Sequence, residues 1–443
     1  MSDSHDEKQE VRIDCTTVGE FADWLSRAGG SLAISTYQAG KVALVGWDGQ
    51  QTSVMMRDFQ KPLGMAVSGE RLALATRHHL WMFANATLLA PDYIEDQHGR
   101  YDSLYLPRVK YLTGDNHIHD LTYVGQQLMC VNTRFSCLAG LSKDFSFIPL
   151  WKPSFVSDIV PEDRCHLNSL ATRDGQPRYV TALGETDTAG GWREHKADGG
   201  VLIDIPSGQT ICRGLSMPHS VRWYNNQLWV LNSGMGDLCL VDPDSGALQT
   251  VCRLPGYTRG LCFVGPYALV GLSRVRETNI FGGLPIQEKR DSLRCGVAIV
   301  DLRTGKSPGM FEFTAGCQEL YDVQFLPGKQ RPMILNEENE ATREAFTNPE
   351  SSYWLRPSNE VKDSSEVKDN DEGEANESGD GATNVENGHV TAATTTAGKT
   401  NTGESNADVA VERSAKDAAQ RRQSVDAAPP AAAEPAEMAS SKR

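Results

Sequence analysis

Apolar and polar residues alternate along much of this 443-residue chain in short runs that come in pairs, each pair joined by a tight polar turn. Residues 119–132 follow the same pattern as residues 219–232, and residues 63–76 repeat it with a glycine in the turn. Alternation with a period of two is typical of β-strands that bury one face. The pattern therefore predicts a chain built mainly from β-hairpins.

The first strand of such a pair begins six times, at steps of 40 to 62 residues. A strand-based repeat of this length is typical of a β-propeller blade. We therefore expect an all-β fold, a six-bladed β-propeller. The six leading strands begin at Leu63, His119, Asn168, His219, Arg259 and Tyr321.

Two groups of strands are left over from this repeat, one near each end of its range. Three strand candidates, 31–37, 41–47 and 52–59, have no leading strand, and the leading strand 321–326 has no followers. Pairing the two groups completes one four-stranded blade and closes the ring, which hides its edge strands. A short helix is expected before them at 18–27, where apolar residues follow helical spacing.

Composition changes sharply toward the end of the sequence. From residue 361 to residue 443 there is no Leu, Ile, Cys, Phe, Trp or Tyr. Such a segment cannot bury enough apolar surface to offset the entropy lost on ordering. We expect three regions: a polar segment with the short helix at 1–30, the propeller at 31–336, and a disordered, acidic, low-complexity tail at 337–443.

The charge balance and the apolar runs argue against several classes of function. The formal net charge is −15, and the propeller region is itself mildly acidic, so a nucleic-acid partner is not expected. No apolar run is long enough to span a bilayer, and the polar, acidic first ten residues lack the features of a signal peptide. The ten cysteines include no Cys-x-x-Cys pair, which favours a reducing compartment, the cytoplasm.

Candidate chemistry is concentrated where the leading strands begin. In a propeller these strands line the central channel, so their first residues form a column at its mouth. The loops that enter each blade, and those between its second and third strands, open on the same face. Long irregular loops in a compact fold are often functional. These loops place further candidates around the mouth, namely Arg134, Glu185, Trp192, Arg193 and Arg274.

Three interpretations of the column remain open. His119, Asn168 and His219 could hold a divalent metal, zinc or manganese for imidazole ligands, with Asp120 or Glu185 as the base that activates water. Without a metal, the same column would bind a polar or anionic organic ligand. Its contacts would be His119, Asn168, His219 and Arg259, with Arg134, Trp192, Arg193 and Arg274 around them. In the third interpretation, the column orders water and the arginines brace loops against glutamates.

Several blocks of the sequence resemble a bacterial family catalogued as conserved hypothetical protein 03032, a domain of unknown function. The blocks lie at 31–41, 132–136, 166–168, 182–187, 191–194 and 198–200, with further blocks at 216–220 and 281–285, and the resemblance covers roughly 31–328. The family implies no established activity.

A looser similarity connects the chain with six-bladed propellers of the gluconolactonase and regucalcin type. Those propellers hold a channel metal with acidic and amide residues, and Asn168 matches one such position. His119 and His219 depart from the oxygen-rich pattern, and Leu63 occupies the column position where those propellers carry a glutamate.

Together these observations predict a cytoplasmic propeller that binds a small polar or anionic ligand at the channel mouth. One alternative is an enzyme, a metal-assisted hydrolase, lactonase or isomerase acting on a sugar-like substrate. The other alternative is a scaffold that binds a partner protein. The sequence leaves open whether the protein is an enzyme.

Overall fold

Each leading strand predicted from the apolar pattern is the innermost strand of an antiparallel sheet, and the sheets form a six-bladed β-propeller. The computed structural model describes residues 12–275 and 282–356. The six inner strands contact one another in a closed cycle, which fixes the blade count at six. Each inner strand begins within two residues of its predicted start.

The blades are numbered from the one that closes the ring, and their strands are given from the channel outward. Blade 1 consists of Asp322–Pro327, Gly30–Thr36, Lys41–Trp47 and Thr52–Asp58; blade 2 of Met65–Ser68, Arg71–Ala75, His79–Asn85 and Ser103–Leu112; blade 3 of Ile118–Val124, Gln127–Asn132, Cys137–Gly140 and Ile148–Trp151. Blade 4 consists of Leu167–Arg173, Gln176–Ala182, Gly200–Asp204 and Gln209–Leu215; blade 5 of Pro218–Tyr224, Gln227–Asn232, Asp237–Val241 and Leu248–Arg253; blade 6 of Tyr257–Val264, Tyr267–Ser273, Gly296–Asp301 and Lys306–Ala315. Short 3₁₀ turns occupy Ala90–Asp92, Gly191–His195, Ser233–Met235 and Pro285–Ser292.

Blade 1 joins the two ends of the repeat region, as the sequence predicted. Its inner strand pairs antiparallel with Gly30–Thr36 in a register that places Ile34 opposite Val323. Both residues are fully buried in the core between blades 1 and 6. Ring closure therefore depends on apolar burial as well as on backbone hydrogen bonds.

The segment before blade 1 differs from the prediction. Asp14–Gly19 is a strand that pairs antiparallel with Lys306–Ala315 as a fifth strand of blade 6. The helix begins at Phe21, not at residue 18, and ends at Arg27. The run Thr16-Thr17-Val18 is β-branched, and such residues favour strands over helices. The helix buries Phe21, whose ring centroid lies 5.9 Å from that of Phe311.

Ordered structure also continues past the predicted domain boundary at residue 336. Pro332–Ile334 pairs in parallel with the outer strand of blade 2, and it is followed by the helix Ala341–Glu344. A hairpin of Ala345–Thr347 and Ser352–Trp354 comes next, and the Trp354 indole donates to the Leu89 carbonyl at 3.2 Å. The predicted tail beyond 356 lies outside the described residues.

Small polar side chains link neighbouring inner strands near their beginnings. Asp322 accepts a hydrogen bond from the Met65 amide of the next blade at 2.8 Å, Ser169 from Val221 at 2.9 Å, and Ser220 from Gly260 at 3.0 Å. Gly260 has φ +86, and a Cβ there would lie 2.7 Å from the Val323 nitrogen, so only glycine fits. This belt draws the inner strands together just inside the channel mouth.

No helix among the residues that the structure describes is long and apolar enough to cross a membrane.

Candidate functional site

A cavity of about 320 Å³ opens where the inner strands begin. Five of the six residues predicted to form the mouth column line it: Leu63, His119, His219, Arg259 and Tyr321. Trp192 and Arg193, from the loop between the second and third strands of blade 4, line it as well. The structure therefore brings most of the predicted ligand-binding residues together at one end of the channel.

A second tier of residues lines the cavity above this column. Its members stand two positions before each column residue in all six blades: Lys61, His117, His166, Met217, Tyr257 and Glu319. Both tiers line the same cavity, although five of the second-tier residues lie in the loops just before the strands and only Tyr257 belongs to a strand. This tier was not predicted, because the alternation that predicts the strands does not extend into the entry loops that carry most of its residues.

The entry loops of four successive blades share an uncommon backbone conformation. Lys61, His117, His166 and Met217 have φ of 48, 50, 51 and 46. Non-glycine residues rarely adopt this left-handed conformation, which costs on the order of 1–3 kcal/mol for each residue. Such strain is concentrated at binding and catalytic sites more often than elsewhere. Its repetition around the mouth makes the cavity a candidate functional site.

His119 and His219 are held in the same tautomer by equivalent contacts. Each Nδ1 lies 2.8 Å from the carbonyl oxygen two residues earlier, that of His117 or Met217. A carbonyl only accepts, so Nδ1 carries the proton and Nε2 carries a lone pair. Burial lowers the pKa of both imidazoles well below the usual value, and the charge of Arg259 lowers it further. Both are therefore neutral hydrogen-bond acceptors.

Arg259 supplies positive charge at the floor of the cavity. Its guanidinium carbon lies 3.4 Å from the centroid of the Tyr321 ring, and Nη1 is 3.9 Å from Glu319 Oε1. Lys61 adds a second cation, with Nζ 5.3 Å from the centroid of the Tyr37 ring. Stacking on an aromatic face holds a guanidinium in place while its N–H groups stay available to an anion.

His166 is bonded differently from His119 and His219. Its Nδ1 lies 2.8 and 3.0 Å from the two carboxylate oxygens of Asp163. The same carboxylate accepts the indole N–H of Trp192 at 3.0 Å and lies 3.5 Å from Arg193 Nη2. The ring centroid of His166 is 4.4 Å from that of Trp192 and 4.7 Å from that of His119. Neither Asp163 nor His166 was among the predicted site residues.

Three predicted ligand contacts do not line the cavity. Asn168 is buried beside it, and its Nδ2 makes no hydrogen bond within the described part of the chain. Arg134 lies behind His117, 3.1 Å from its Nε2 and 3.2 Å from the carboxylate of Asp115. Arg134 therefore braces the entry loop against Asp115, not against a glutamate. Arg274 is outside the lining, and its backbone N–H donates to the Gln318 carbonyl at 2.8 Å.

The two predicted catalytic carboxylates also lie elsewhere. Asp120 belongs to the belt inside the channel, where it accepts from the Leu170 amide at 3.0 Å and pairs with both Nη atoms of Arg222 at 2.7 and 3.1 Å. Glu185 pairs with Arg213 at 2.8 Å on the outer strand of blade 4. Burial alone would raise the pKa of Glu185, but hydrogen bonds from Arg213 and Thr210 bring it below its usual value. Both carboxylates are engaged in structural ion pairs.

The predicted metal ligands are only partly brought together. His119 and His219 line the cavity, whereas Asn168 does not. Among the residues that the structure describes, no three His, Cys, Asp or Glu side chains form a group that could hold a metal ion.

A second cavity, of about 350 Å³, lies on the other side of the belt. It is lined by backbone and by side chains that include Tyr123, Trp223 and Gln324. Within the described residues its one charged lining side chain is Arg222, which is already paired with Asp120. The mouth cavity is therefore the better candidate site.

Comparisons with known proteins give a family. A family model described as Domain of unknown function (DUF4915) matches residues 19–335. Solved structures that are similar to this chain include a chain of the nidogen/laminin complex. The TM-score is 0.45 and the identity 10%, and the match covers 68% of this chain and 99% of that one. A protein of unknown function from Bacteroides caccae has a TM-score of 0.41, 8% identity and coverage of 67% and 99%. A protein proposed to be a gluconolactonase has a TM-score of 0.40, 12% identity and coverage of 67% and 95%. No curated protein matches the sequence.

Proposed function

The chain belongs to the family described as Domain of unknown function (DUF4915), and we propose that its propeller binds a small anionic molecule with hydroxyl groups in the mouth cavity. The volume of about 320 Å³ lies at the small end of ligand pockets, which span roughly 300–1,000 Å³. A ligand of this size would contact several blades at once.

The donors and acceptors on the cavity wall support this ligand class. Arg259 and Lys61 only donate, and both carry positive charge. His119 and His219 offer Nε2 lone pairs because their Nδ1 atoms are taken by backbone carbonyls. A carboxylate or phosphate would pair with the cations, and hydroxyl groups would donate to the imidazoles. The combination of cations with neutral acceptors is the observation that carries the proposal.

The acidic residues of the cavity are already compensated. Asp163 is bonded to His166 and Trp192, and Asp115 lies 3.2 Å from both Arg134 and His117. The third lining carboxylate, Glu319, lies 3.9 Å from Arg259 Nη1. The carboxylates therefore oppose an incoming anion less than their number implies.

We also propose that the protein works in the cytoplasm. All ten cysteines are free thiols, and eight of them are buried. A chain with this many unpaired cysteines is typical of a reducing compartment.

The proposal is tested with a panel of named probes. Thermal unfolding would be recorded with D-gluconate, D-glucuronate and glucose 6-phosphate, and with neutral glucose as the uncharged comparison. We expect at least one anion to raise the Tm, with no rise from glucose. Arg259→Gln should abolish the rise.

The matched control is Arg303→Gln, in a surface hairpin of blade 6 where Arg303 pairs with Asp301 at 2.8 Å. This substitution removes one positive charge outside the cavity, and the anion should still raise the Tm of the variant. No rise with any anion, or an equal rise in the Arg259→Gln variant, would refute the proposed ligand class.

A further inference from the structure

Four imidazoles line the cavity, those of His117, His119, His166 and His219, and they are bonded in different ways. His117 Nε2 lies 3.2 Å from the Asp115 carboxylate, but Arg134 Nη2 lies 3.1 Å away, and because a guanidinium only donates, it occupies the Nε2 lone pair of His117. Nδ1 of His119 and of His219 faces a neutral carbonyl, whereas Nδ1 of His166 faces the carboxylate of Asp163. That carboxylate already accepts from Trp192, so toward His166 it acts as an acceptor and Nδ1 carries the proton. Nε2 is left with the lone pair. When Nε2 gains a proton, the adjacent negative charge stabilises the resulting imidazolium.

The pair is also fixed in position. Asp163 and His166 have φ of 50 and 51, and both belong to the entry loop of blade 4. Trp192 is buried, bonds to Asp163 and contacts the His166 ring. The side chains of His166 and Asp163 are only 13% and 17% exposed. A partly buried histidine–carboxylate pair bordering a cavity is an arrangement that can support general-base catalysis.

We propose that His166 is a general base for ester hydrolysis, with Asp163 as its positioning residue; this rests on the proposed function in that the same cavity receives the substrate. His166 Nε2 takes a proton from water while the water oxygen bonds to the ester carbonyl carbon. The carbonyl π electrons move onto the carbonyl oxygen, and the charge of Arg259 stabilises the oxyanion. Re-forming the C=O bond breaks the bond to the leaving alkoxide, which takes the proton back from His166. One ester and one water give one acid and one alcohol.

The neutral imidazole of His119 has a different role in this reaction. His119 packs edge-to-face against His166, at an interplanar angle of 85°. With its lone pair at Nε2 and its Nδ1 held by a carbonyl, it can accept a substrate hydroxyl group. His119 would thus orient the substrate beside the base.

The experiment uses the full chain and p-nitrophenyl acetate, with release of p-nitrophenol measured against buffer. We expect a rate above buffer in the native chain, a loss of roughly 100-fold in His166→Gln, and a loss of about 10-fold or more in Asp163→Asn. The control is His98→Gln. His98 forms a similar pair with Asp92 at 2.7 Å on the surface, and its replacement should leave the rate unchanged.

A second measurement separates positioning from folding. Side-chain ¹⁵N NMR should show the Nδ1-protonated tautomer of His166 in the native chain and a mixture of tautomers in Asp163→Asn. If Asp163 only stabilised the loop, the His166 nitrogen shifts would stay unchanged.

The outcomes distinguish this inference from the proposed function. A native chain no faster than buffer, or a His166→Gln variant as fast as the native chain, overturns the catalytic inference. Because p-nitrophenyl acetate carries no charge, this result does not depend on anion binding. If D-gluconate or another probe anion still raises the Tm, the proposed function stands while the catalytic role falls.

Discussion

Replacing Arg222 with methionine should lower the free energy of unfolding by about 3–5 kcal/mol. Arg222 belongs to the inner strand of blade 5 and crosses the channel to Asp120 of blade 3, which it meets through both Nη atoms. Its Nε also donates to the Leu261 carbonyl of blade 6 at 3.2 Å. Its Nη1 donates to the Leu170 carbonyl of blade 4 at 3.4 Å as well, so one side chain connects four of the six blades.

The magnitude follows from what remains after the substitution. The side chain of Asp120 is 5% exposed, so removal of Arg222 leaves a buried carboxylate without its cation. Removal of one partner of a buried ion pair typically lowers the free energy of unfolding by several kcal/mol, because the remaining charge is uncompensated. Methionine keeps the apolar stem, and therefore the loss reports mainly on the charge.

Urea unfolding of the full chain, followed by tryptophan fluorescence and circular dichroism, would measure the change. The midpoint should fall while the slope with urea stays constant, since the surface exposed on unfolding is unchanged. The double variant Arg222→Met with Asp120→Asn removes the orphaned charge. It should therefore lose less stability than the two single variants lose together.

Arg303→Met is the control, because its ion pair with Asp301 lies on the surface and should contribute little. Strict additivity of the two single variants would contradict the reasoning, since it would show that Arg222 and Asp120 do not stabilise each other. A loss no larger than that of Arg303→Met would contradict it as well.

Two further predictions concern other parts of the fold. Burial and the nearby charge of Asp120 raise the pKa of Asp322 to about 6, so between roughly pH 4 and 6 the folded chain holds a proton that the unfolded chain has released. The free energy of unfolding should therefore fall by about 2–3 kcal/mol as pH rises through this window, and Asp322→Asn should flatten that part of the urea-unfolding profile; an unchanged slope would show that another group is responsible. A chain that ends at residue 336 should have a lower Tm than one that ends at 356, because the longer chain keeps the Trp354–Leu89 hydrogen bond and the Arg356–Glu95 ion pair at 3.0 Å. Equal Tm values would place the end of the folded domain at the boundary predicted from the sequence.

The sequence predicts this fold well because the propeller signal is local and repeated. Each leading strand alternates within a few residues, and the repeat then counts the blades without any knowledge of distant contacts. The strand Asp14–Gly19 carries no such signal, since it is a fifth strand that no other blade has in antiparallel form. Its partners, such as Phe311 for Thr17, lie almost 300 residues further along the chain.

The candidate site is predicted only in part, and the failures have a common cause. The mouth column follows from the strand register, which is why His119, His219 and Arg259 were found. The sequence predicts Asp120 as a base because its partner Arg222 is 102 residues away and nothing in the sequence links them. His166 was missed because its side chain reaches the cavity from an entry loop, and the left-handed backbone at such a residue cannot be inferred from its type.

Neighbouring positions on each inner strand have different roles, which explains why the residue types at the channel mouth can differ between blades. The residue after each member of the mouth column is Gly, Asp or Ser. The Asp and Ser side chains accept hydrogen bonds from the backbone of neighbouring inner strands, and Gly64 and Gly260 allow neighbouring inner strands to approach closely. Because these positions hold the ring together, the residues of the mouth column and of the second tier do not need to form contacts between blades. Twelve positions around one channel mouth can then differ from blade to blade without loss of the fold. An uneven set of imidazoles, cations and carboxylates can therefore be placed on a symmetric scaffold, which is what an asymmetric small ligand requires.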